Sequence, residues 1–248
     1  MTPTLHIFPY SNYCEKALWT LDALGVRYRV QYHYPGPHGR RIKALSGQTA
    51  VPVLEHDGKV TAGSNHIIEA FAGTPAHDAL IPAEHRAEIM AWQQKLDDIG
   101  GILRGALFHS VLGNRTLAIR LLTCDHKNPW GGYGLFFRAF TPLLRSMLEQ
   151  KLPNLDSALK PSLNVLSEVT ETARDGYLVG GRFTLADLTA AAIFFPICNP
   201  PGALGHDVAT VLPELGPWRT LWAGNPGADY VARIYRDHRR AQPLQIAA

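Results

Sequence analysis

Residues 10–16 are the segment of this sequence best suited to chemistry, because they place a serine and a cysteine between a strand-like run and a helix-like run. Backbone N–H groups at a helix start have no partners within the helix and favour negative charge. A thiolate held at such a place is stabilised. Ser11 could donate a hydrogen bond to a sulfur anion, whether the sulfur belongs to the protein or to a ligand. The segment is therefore a candidate site for thiol chemistry.

Ser11 and Cys14 also have simpler interpretations. A serine at a helix start usually caps the helix. Cys14 would lie one turn further along, where a cysteine is more often a small buried hydrophobic residue than a nucleophile. With Cys124 and Cys198 the chain has three cysteines at wide spacing. This odd count argues against a disulfide framework and indicates a reducing compartment.

A second polar constellation follows at Val51-Pro52 and Gly63-Ser64. Pro52 cannot donate a backbone hydrogen bond where a strand begins, so it requires a sheet edge or a special backbone shape. Gly63 and Ser64 begin a further helix, whose N-terminus could bind a carboxylate. The simpler alternative is again an N-cap.

Short strands and helices must hold these residues in the first third of the chain. Asp57 and Gly58 separate two short apolar runs and predict a tight hairpin. Ala17, Leu18 and Leu21 recur at helical spacing. The predicted order is β-α-β-loop-β-β-α, with strands at residues 4–8, 28–32, 51–55 and 59–61.

In the rest of the chain the spacing of apolar residues predicts helices, and we find no convincing strand beyond residue 80. Residues 73–82 carry small residues and two prolines, which is typical of a linker. We therefore predict a mixed α/β domain at residues 1–77 and an all-helical domain at residues 83–248. The helical patterns cover residues 83–112, 135–152 with an interruption at Pro142, 155–174, 184–197 and 229–239.

The composition is that of a folded protein. Of the 248 residues, 18% are charged and 46% are hydrophobic, which excludes a disordered chain. The formal net charge of +3 lacks the basic surplus typical of a nucleic-acid binder. No signal peptide and no membrane-spanning run is visible, so we expect a cytoplasmic protein.

Cys124, Asp125, His126 and the nearby His109 are the residues that invite a metal site. No second Cys or His stands beside them at a spacing usual for zinc. We therefore expect no metal.

The N-terminal pieces together resemble the cytosolic glutathione transferase superfamily, and in particular its serine-type, bacterial-like members. Ser11-x-x-Cys14 follows the first strand, Val51-Pro52 precedes the third, and Ser64 begins a helix. The resemblance implies a thioredoxin-like N-terminal domain followed by an all-helical C-terminal domain.

Residues 176–187 extend the resemblance into the helical domain, and altogether it covers roughly residues 4–240. Within that stretch Thr184 and Asp187 have the spacing of a capping box. The resemblance implies a glutathione-dependent transferase that stabilises the glutathione thiolate for attack on a small electrophile. It also implies a homodimer and a role in detoxification, with no membrane or nucleic-acid partner.

Carried over position by position, the resemblance implies a glutathione site. Ser11 would hydrogen-bond the glutathione sulfur. Val51, beside a cis Pro52, would pair its backbone with the cysteinyl part, and Ser64 would hold the γ-glutamyl carboxylate. His38 lies in a basic stretch where the family often contacts the glycyl carboxylate, although such a stretch is equally typical of a solvated surface. The other expected site residues are Cys14, as a second catalytic candidate, and Tyr10, Tyr13 and Gly63, as residues that line the site.

Gly63 departs from the family, whose members usually carry Glu or Asp there to face the glutathione amino group. In a dimer, Asp97 or Asp98 of the partner subunit could supply the missing carboxylate, unless both are solvated surface charges. Two alternative functions stay open. Ser11-x-x-Cys14 overlays the Cys-x-x-Cys of glutaredoxins, which would make Cys14 the centre of a thiol reductase or lyase. The missing acid would also suit a non-catalytic binding protein of the same fold.

Overall fold

A small mixed sheet organises the N-terminal part of the chain. The structure is a computed structural model that describes residues 2–124, 132–151, 154–210, 215, 220, 224–240 and 245–246. Four strands lie in the order β4-β3-β1-β2, with β1 parallel to β2 and antiparallel to β3, and β3 antiparallel to β4. The strands are β1 (Thr4–Ile7), β2 (Arg29–Tyr32), β3 (Val53–His56) and β4 (Lys59–Ala62), and the helices are α1 (Asn12–Ala23), α2 (His38–Ser46) and α3 (Ser64–Glu69).

Apolar residues at alternate strand positions build the core of this sheet. Leu5 stands in register with Val30 on one side and with Leu54 on the other, and all three are buried. Leu18 and Leu21 of α1 belong to the same buried cluster. The sheet and α1 therefore meet through the residues whose spacing predicted them.

The turn between β3 and β4 confirms the predicted hairpin. Asp57 has φ of 48° and Gly58 has φ of 74°. Two successive residues in the left-handed region suit a two-residue hairpin, and Asp-Gly tolerates this conformation better than most pairs.

The helical domain is arranged around one completely buried helix. Helix α9 (Leu185–Cys198) is buried from Leu185 to Ile197 and contacts α1 of the first domain as well as its own neighbours. A helix that is apolar on every side is expected at the centre of a domain. The other helices are α4 (Pro75–Leu80), α5 (Arg86–Val111), α6 (Arg115–Thr123), α7 (Tyr133–Lys151), α8 (Leu155–Thr172), α10 (His206–Thr210) and α11 (Pro226–His238).

The predicted capping box is present at the start of α9. The Thr184 side chain accepts a hydrogen bond from the first turn, and the Asp187 carboxylate accepts one from the Thr184 N–H at 2.9 Å. Asp187 also accepts hydrogen bonds from Leu178 N–H at 2.8 Å and from the Tyr230 hydroxyl at 2.7 Å. The carboxylate therefore joins α9, the preceding loop and α11.

Several elements differ from the prediction. A fifth strand, β5 (Gln245–Ile246), pairs parallel with β2, so the prediction of no strand beyond residue 80 was wrong. Helix α4 occupies the predicted linker, and α2 occupies the predicted loop. Helix α7 continues through Pro142. A proline at this position removes the backbone donor that the Arg138 carbonyl would otherwise have in the helix. Pro142 and Arg138 are both exposed, so solvent can satisfy that carbonyl.

Within the part of the chain that the structure describes, no helix is both long enough and apolar enough to cross a membrane.

Candidate functional site

Ser11 occupies the N-cap of α1. Its backbone is extended, with φ of −154° and ψ of 125°, and its hydroxyl accepts a hydrogen bond from Cys14 N–H at 3.4 Å. This geometry is typical of an N-cap, because the capping residue keeps an extended backbone outside the helix while its side chain satisfies an open N–H group. A hydroxyl that accepts in this way keeps its own proton for donation.

Cys14 lies in the core of the N-terminal domain. Its side chain is completely buried and packs in the same cluster as Leu5 and Ile7. Burial raises the pKa of the Cys14 thiol to about 11, against the smaller opposing effects of hydrogen bonds with Ser11 and Phe8. A thiol in this environment stays protonated at neutral pH, so the structure favours the simpler interpretation of Cys14 as a core residue.

A groove of about 650 Å³, which polar side chains such as Gln48, Asn65 and Asp97 line in part, lies between the sheet edge and α5. The bond between Val51 and Pro52 is cis. The Pro52 carbonyl accepts a hydrogen bond from Gly63 N–H at 2.9 Å, which holds the two segments side by side. Five of the expected site residues line this groove, namely Tyr13, Val51, Pro52, Gly63 and Ser64.

The groove also contains a charged network that the sequence did not predict. Lys16 Nζ lies 2.9 and 3.1 Å from the two carboxylate oxygens of Asp97 and 2.7 Å from Asn65 Oδ1. Asn65 Nδ2 donates to Asp97 Oδ2 at 2.8 Å. The Lys16 side chain is completely buried, and burial lowers its pKa while Asp97 opposes that change. The network fixes the Asp97 carboxylate at the wall of the groove.

Asp97 therefore lines the groove of its own chain together with Gly63, the position at which the family resemblance implies an acid. The sequence had suggested Asp97 or Asp98 of a partner subunit for this task. Asp98 is exposed and accepts a hydrogen bond from Gln94 at 2.6 Å. The two acids are adjacent on α5 but have different surroundings, and only Asp97 lines the groove.

Two hydrogen bonds attach the start of α1 to α5. Asn12 Nδ2 donates to Gly100 O at 3.0 Å, and the Tyr13 hydroxyl donates to Asp97 O at 2.8 Å. Burial, assisted by the Asp97 charge, raises the Tyr13 pKa, so the phenol remains a donor. A Cβ at Gly100 would lie 2.9 Å from both Ile193 and the Tyr13 hydroxyl. Gly100 therefore allows the close approach of the two domains at the site.

An apolar cavity of about 310 Å³ adjoins the groove and is lined by Ser11 and Tyr10. Arg104 lines both spaces, so the two meet at this residue. The walls come from the end of β1, the loop after β2, and helices α5, α6 and α7. The apolar lining residues include Phe8, Phe108, Leu112, Leu122, Phe137 and Met147.

His38 lies at this apolar cavity, away from the groove. Its Nδ1 accepts from Gly36 N–H at 3.0 Å, and its Nε2 lies 2.9 Å from Thr49 O. The Thr49 carbonyl can only accept, so Nε2 carries the proton and the ring is neutral. Burial lowers the pKa of His38. Both ring nitrogens of His38 are therefore engaged in hydrogen bonds with backbone groups of Gly36 and Thr49.

The described residues contain no group of three or more His, Cys, Asp or Glu side chains that could hold a metal ion. Cys124 donates through its thiol to Pro9 O at 3.3 Å. Asp125 and His126, which the sequence analysis considered with it, lie outside the described residues.

Comparisons with known proteins agree with this geometry. Residues 5–77 match the glutathione S-transferase N-terminal domain family, and residues 133–219 match the glutathione S-transferase C-terminal domain family. The comparison with curated proteins gives no match.

Solved structures show the same fold. The β-etherase LigF from Sphingobium sp. strain SYK-6 is 24% identical, with 94% of this chain and 99% of that chain covered and a TM-score of 0.57. Glutathione transferase GSTFuA3 from Phanerochaete chrysosporium is 18% identical, with 99% of each chain covered and a TM-score of 0.63. A glutathione S-transferase from Methylobacillus flagellatus, solved with glutathione bound, is 15% identical over 93% of this chain and 99% of that chain, with a TM-score of 0.54.

The two family matches together cover most of the chain, and the sheet order, the cis Val51-Pro52 bond and the helical domain accompany them. The chain belongs to the cytosolic glutathione transferase superfamily.

Proposed function

We propose that this chain is a glutathione-dependent transferase in which the Ser11 hydroxyl stabilises the glutathione thiolate for attack on a small electrophile. The observation that carries the proposal is the position of Ser11, which lines the apolar cavity together with Arg104, the residue that also lines the groove. A peptide thiol held in the groove would present its sulfur to Ser11, and an apolar compound would approach it from the cavity.

The energetics of thiolate formation fit a single serine at a helix start. A thiol with a pKa near 8.5 is mostly protonated at neutral pH. Lowering the pKa by about two units requires about 2.7 kcal/mol in favour of the anion. A helix N-terminus contributes about 0.3–1 kcal/mol, and a hydrogen bond to a charged group about 1.5–3 kcal/mol. These two contributions together reach the required value without a general base.

The two ends of the groove suit the polar groups of glutathione. Ser64, the buried first residue of α3, offers its hydroxyl and backbone N–H to the γ-glutamyl carboxylate. The neighbouring Asp97 carboxylate offers a partner for the amino group. Val51 places backbone groups beside the cysteinyl position, next to the cis bond to Pro52. In this arrangement Asp97 supplies, from the same chain, the carboxylate that is missing at position 63.

The test compares two variants of the α1 motif with a halonitrobenzene as electrophile. Ser11→Ala should lower kcat/KM by at least about ten-fold, because it removes the donor to the thiolate. It should also raise the pKa of the bound glutathione thiol, measured from the ultraviolet absorption of the thiolate against pH. Cys14→Ala should change kcat/KM much less, and Ser110→Ala, at an exposed serine of α5, serves as the matched control.

The same experiment separates the alternatives. If Cys14→Ala abolishes turnover while Ser11→Ala does not, the protein works by thiol exchange through Cys14. If the wild-type protein is retained on immobilised glutathione but turns over no electrophile, it is a binding protein of this fold.

A further inference from the structure

A second cavity, of about 330 Å³, shares none of its described lining residues with the groove or with the apolar cavity. Its walls come from α1, β2, the residue after α6, residues 202–208 and the residue after α11. Pro9 also lines it, whereas the next two residues, Tyr10 and Ser11, line the apolar cavity. The two cavities therefore adjoin one short segment but are separate spaces, and the proposed function uses only one of them.

A buried charged cluster forms part of the wall of this second cavity. Glu15 and Arg239 both line the cavity, and Arg239 Nε lies 2.8 Å from Glu15 Oε1. The same guanidinium pairs with Asp22, and none of the three side chains is more than 4% exposed. A single cation therefore faces two carboxylates. The cluster carries an uncompensated negative charge in the interior, where such a charge is costly.

Glu15 is the carboxylate of this cluster whose hydrogen bonds are incomplete. Its Oε1 accepts from Arg239 Nε at 2.8 Å and from the Tyr235 hydroxyl at 3.2 Å. Its Oε2 is buried and has no hydrogen-bond partner among the described residues. Both oxygens of Asp22, by contrast, accept hydrogen bonds, from Tyr28 and from Arg239. A buried acceptor without a donor costs free energy, so Glu15 Oε2 is the atom of the cluster at which a donor on a ligand gains most.

The rest of the lining indicates the shape and the charge of a ligand. Leu18, Leu204 and Val208 present aliphatic side chains to the cavity, which suits a hydrocarbon body. Asp207 also lines the cavity and is exposed, so it adds a further negative charge. Clefts lined by charge of one sign attract ligands of the other sign. The cavity is therefore suited to a cation with an aliphatic part.

We propose that this cavity is a second ligand site, and that it takes a small aliphatic compound with a protonated amino group. The ammonium group donates to Glu15 Oε2 and supplies the positive charge that the buried cluster lacks, and a hydrogen bond of this kind is stronger than one between neutral groups. The hydrocarbon part packs against Leu18, Leu204 and Val208. Because these residues belong to α1 and to the segment that follows α9, the ligand bridges the N-terminal and the helical parts of the chain.

The experiment uses isothermal titration at pH 7 with hexylamine, 1-hexanol and hexanoate, which share a linear hydrocarbon chain and differ in their polar group. We expect hexylamine to bind at least about ten-fold more tightly than 1-hexanol, because a hydrogen bond between charged groups replaces a weaker one. Hexanoate should bind more weakly than either. Saturating glutathione should leave the affinity for hexylamine unchanged, since the groove and this cavity have different lining residues. Hexylamine should also raise the melting temperature, because it binds the folded protein.

Two variants locate the bound amine. Glu15→Gln should reduce the affinity for hexylamine to that for 1-hexanol, whereas Glu88→Gln, at an exposed glutamate of α5, should not change it. Val208→Trp adds bulk at the aliphatic wall and removes no charge, so it should abolish the binding of hexylamine and decides the question even where Glu15→Gln does not fold. Val60→Trp, at a valine of β4 that does not line the cavity, is the control for Val208→Trp.

Three kinds of result would overturn the inference. No binding of hexylamine, or equal binding of hexylamine and 1-hexanol, would show that the cavity does not select an ammonium group. Tighter binding of hexanoate would assign the cavity to anions, held by Arg239. Binding of hexylamine that glutathione displaces, or that persists in Val208→Trp, would place the amine elsewhere on the protein. None of these results bears on the proposed function, which has its own test.

Discussion

Asp97 receives three hydrogen bonds in this structure, two from Lys16 and one from Asn65. A carboxylate has about four acceptor positions, so one remains, and its side chain is 15% exposed toward the groove. Lys16 is completely buried behind it. The amino group of glutathione can therefore approach from the groove and complete the set.

Asp97→Asn should weaken glutathione binding by about five- to ten-fold, because a charged acceptor becomes neutral while keeping its shape. Isothermal titration of glutathione into the two proteins measures the difference. With a glutathione analogue that lacks the amino group, the substitution should have no effect on affinity. Asp98→Asn is the matched control, since Asp98 is exposed and outside the groove. Equal affinities for wild type and Asp97→Asn would contradict this role.

At the level of residues, the sequence predicts those parts of the candidate site that belong to local motifs. Ser11, Val51 and Ser64 are candidates for this reason. Lys16 lies in the same segment, but nothing in its spacing showed that it would be buried against Asp97, 81 positions along the chain. Burial of this kind depends on how two domains pack.

At the scale of elements, the start of α9 is held by the Asp187 carboxylate. The carboxylate is completely buried, and burial raises its pKa while its four hydrogen bonds oppose that change. Asp187→Ala would leave buried N–H and O–H donors of the loop, of α9 and of α11 without partners. Each such donor costs about 1–3 kcal/mol.

We therefore expect Asp187→Ala to lower the free energy of unfolding by about 3 kcal/mol or more. Urea unfolding of the purified variant gives the value. Asp175→Ala, at an exposed aspartate of the same domain, should leave it nearly unchanged. An Asp187→Ala protein as stable as the wild type would show that the Asp187 carboxylate does not contribute to the free energy of unfolding.

The sheet contains a second buried hydrogen-bond network, formed by two histidines and a glutamate, and this network makes the stability of the fold depend on pH. His6 of β1 lies 2.8 Å from His33 and 2.7 Å from Glu55. Burial, followed by the nearby charges of His6, Arg41 and His38, lowers the pKa of His33 to about 3. The unfolded chain binds a proton on this residue near pH 6.5, whereas the folded chain does not. Stability is therefore fully present above about pH 6.5 and falls as the pH decreases toward 3.

At pH 5 the loss from His33 amounts to at most about 2 kcal/mol. His33→Gln should remove most of this dependence, so its melting temperature should fall less than that of the wild type between pH 7 and pH 5. His109→Gln, at a half-buried histidine of α5 outside this chain of contacts, is the control. Identical pH profiles for wild type and His33→Gln would exclude the effect.

The elements themselves were predictable to different degrees. The β3–β4 hairpin was found because Asp57-Gly58 determines its own turn. Helix α2 was missed because only Ile42 among its nine residues is buried, so it has almost no apolar period. Strand β5 has two residues, and it pairs with β2, more than 200 positions earlier in the chain.

At the scale of the whole molecule, we propose a homodimer, as the family resemblance implies. The apolar residues of α5 are mostly buried within the chain itself. Exposed apolar side chains lie elsewhere, at Val60 of β4 and at Leu135 and Leu143 of α7. These are surfaces that an isologous pairing could cover.

Light scattering at micromolar concentration should give about twice the chain mass of 27.3 kDa. Val60→Lys and Leu143→Lys each place a single charge on one of the two surfaces. The variant whose mass shifts toward that of the monomer identifies the surface that forms the dimer. A mass near 27 kDa for the wild type would reject the dimer. The predicted division into residues 1–77 and 83–248 stays a prediction at this scale.

Arg239, at the end of α11, forms buried ion pairs with Glu15, at 2.8 Å, and with Asp22 of α1. Strand β5, beyond it, joins the edge of the N-terminal sheet. During synthesis, the N-terminal half emerges from the ribosome long before either of these contacts can form. Until residue 239 appears, Glu15 and Asp22 lack the Arg239 guanidinium that accompanies them into the interior, where an unpaired carboxylate is costly. We therefore expect the N-terminal half to be completed late, when the end of the helical domain reaches it.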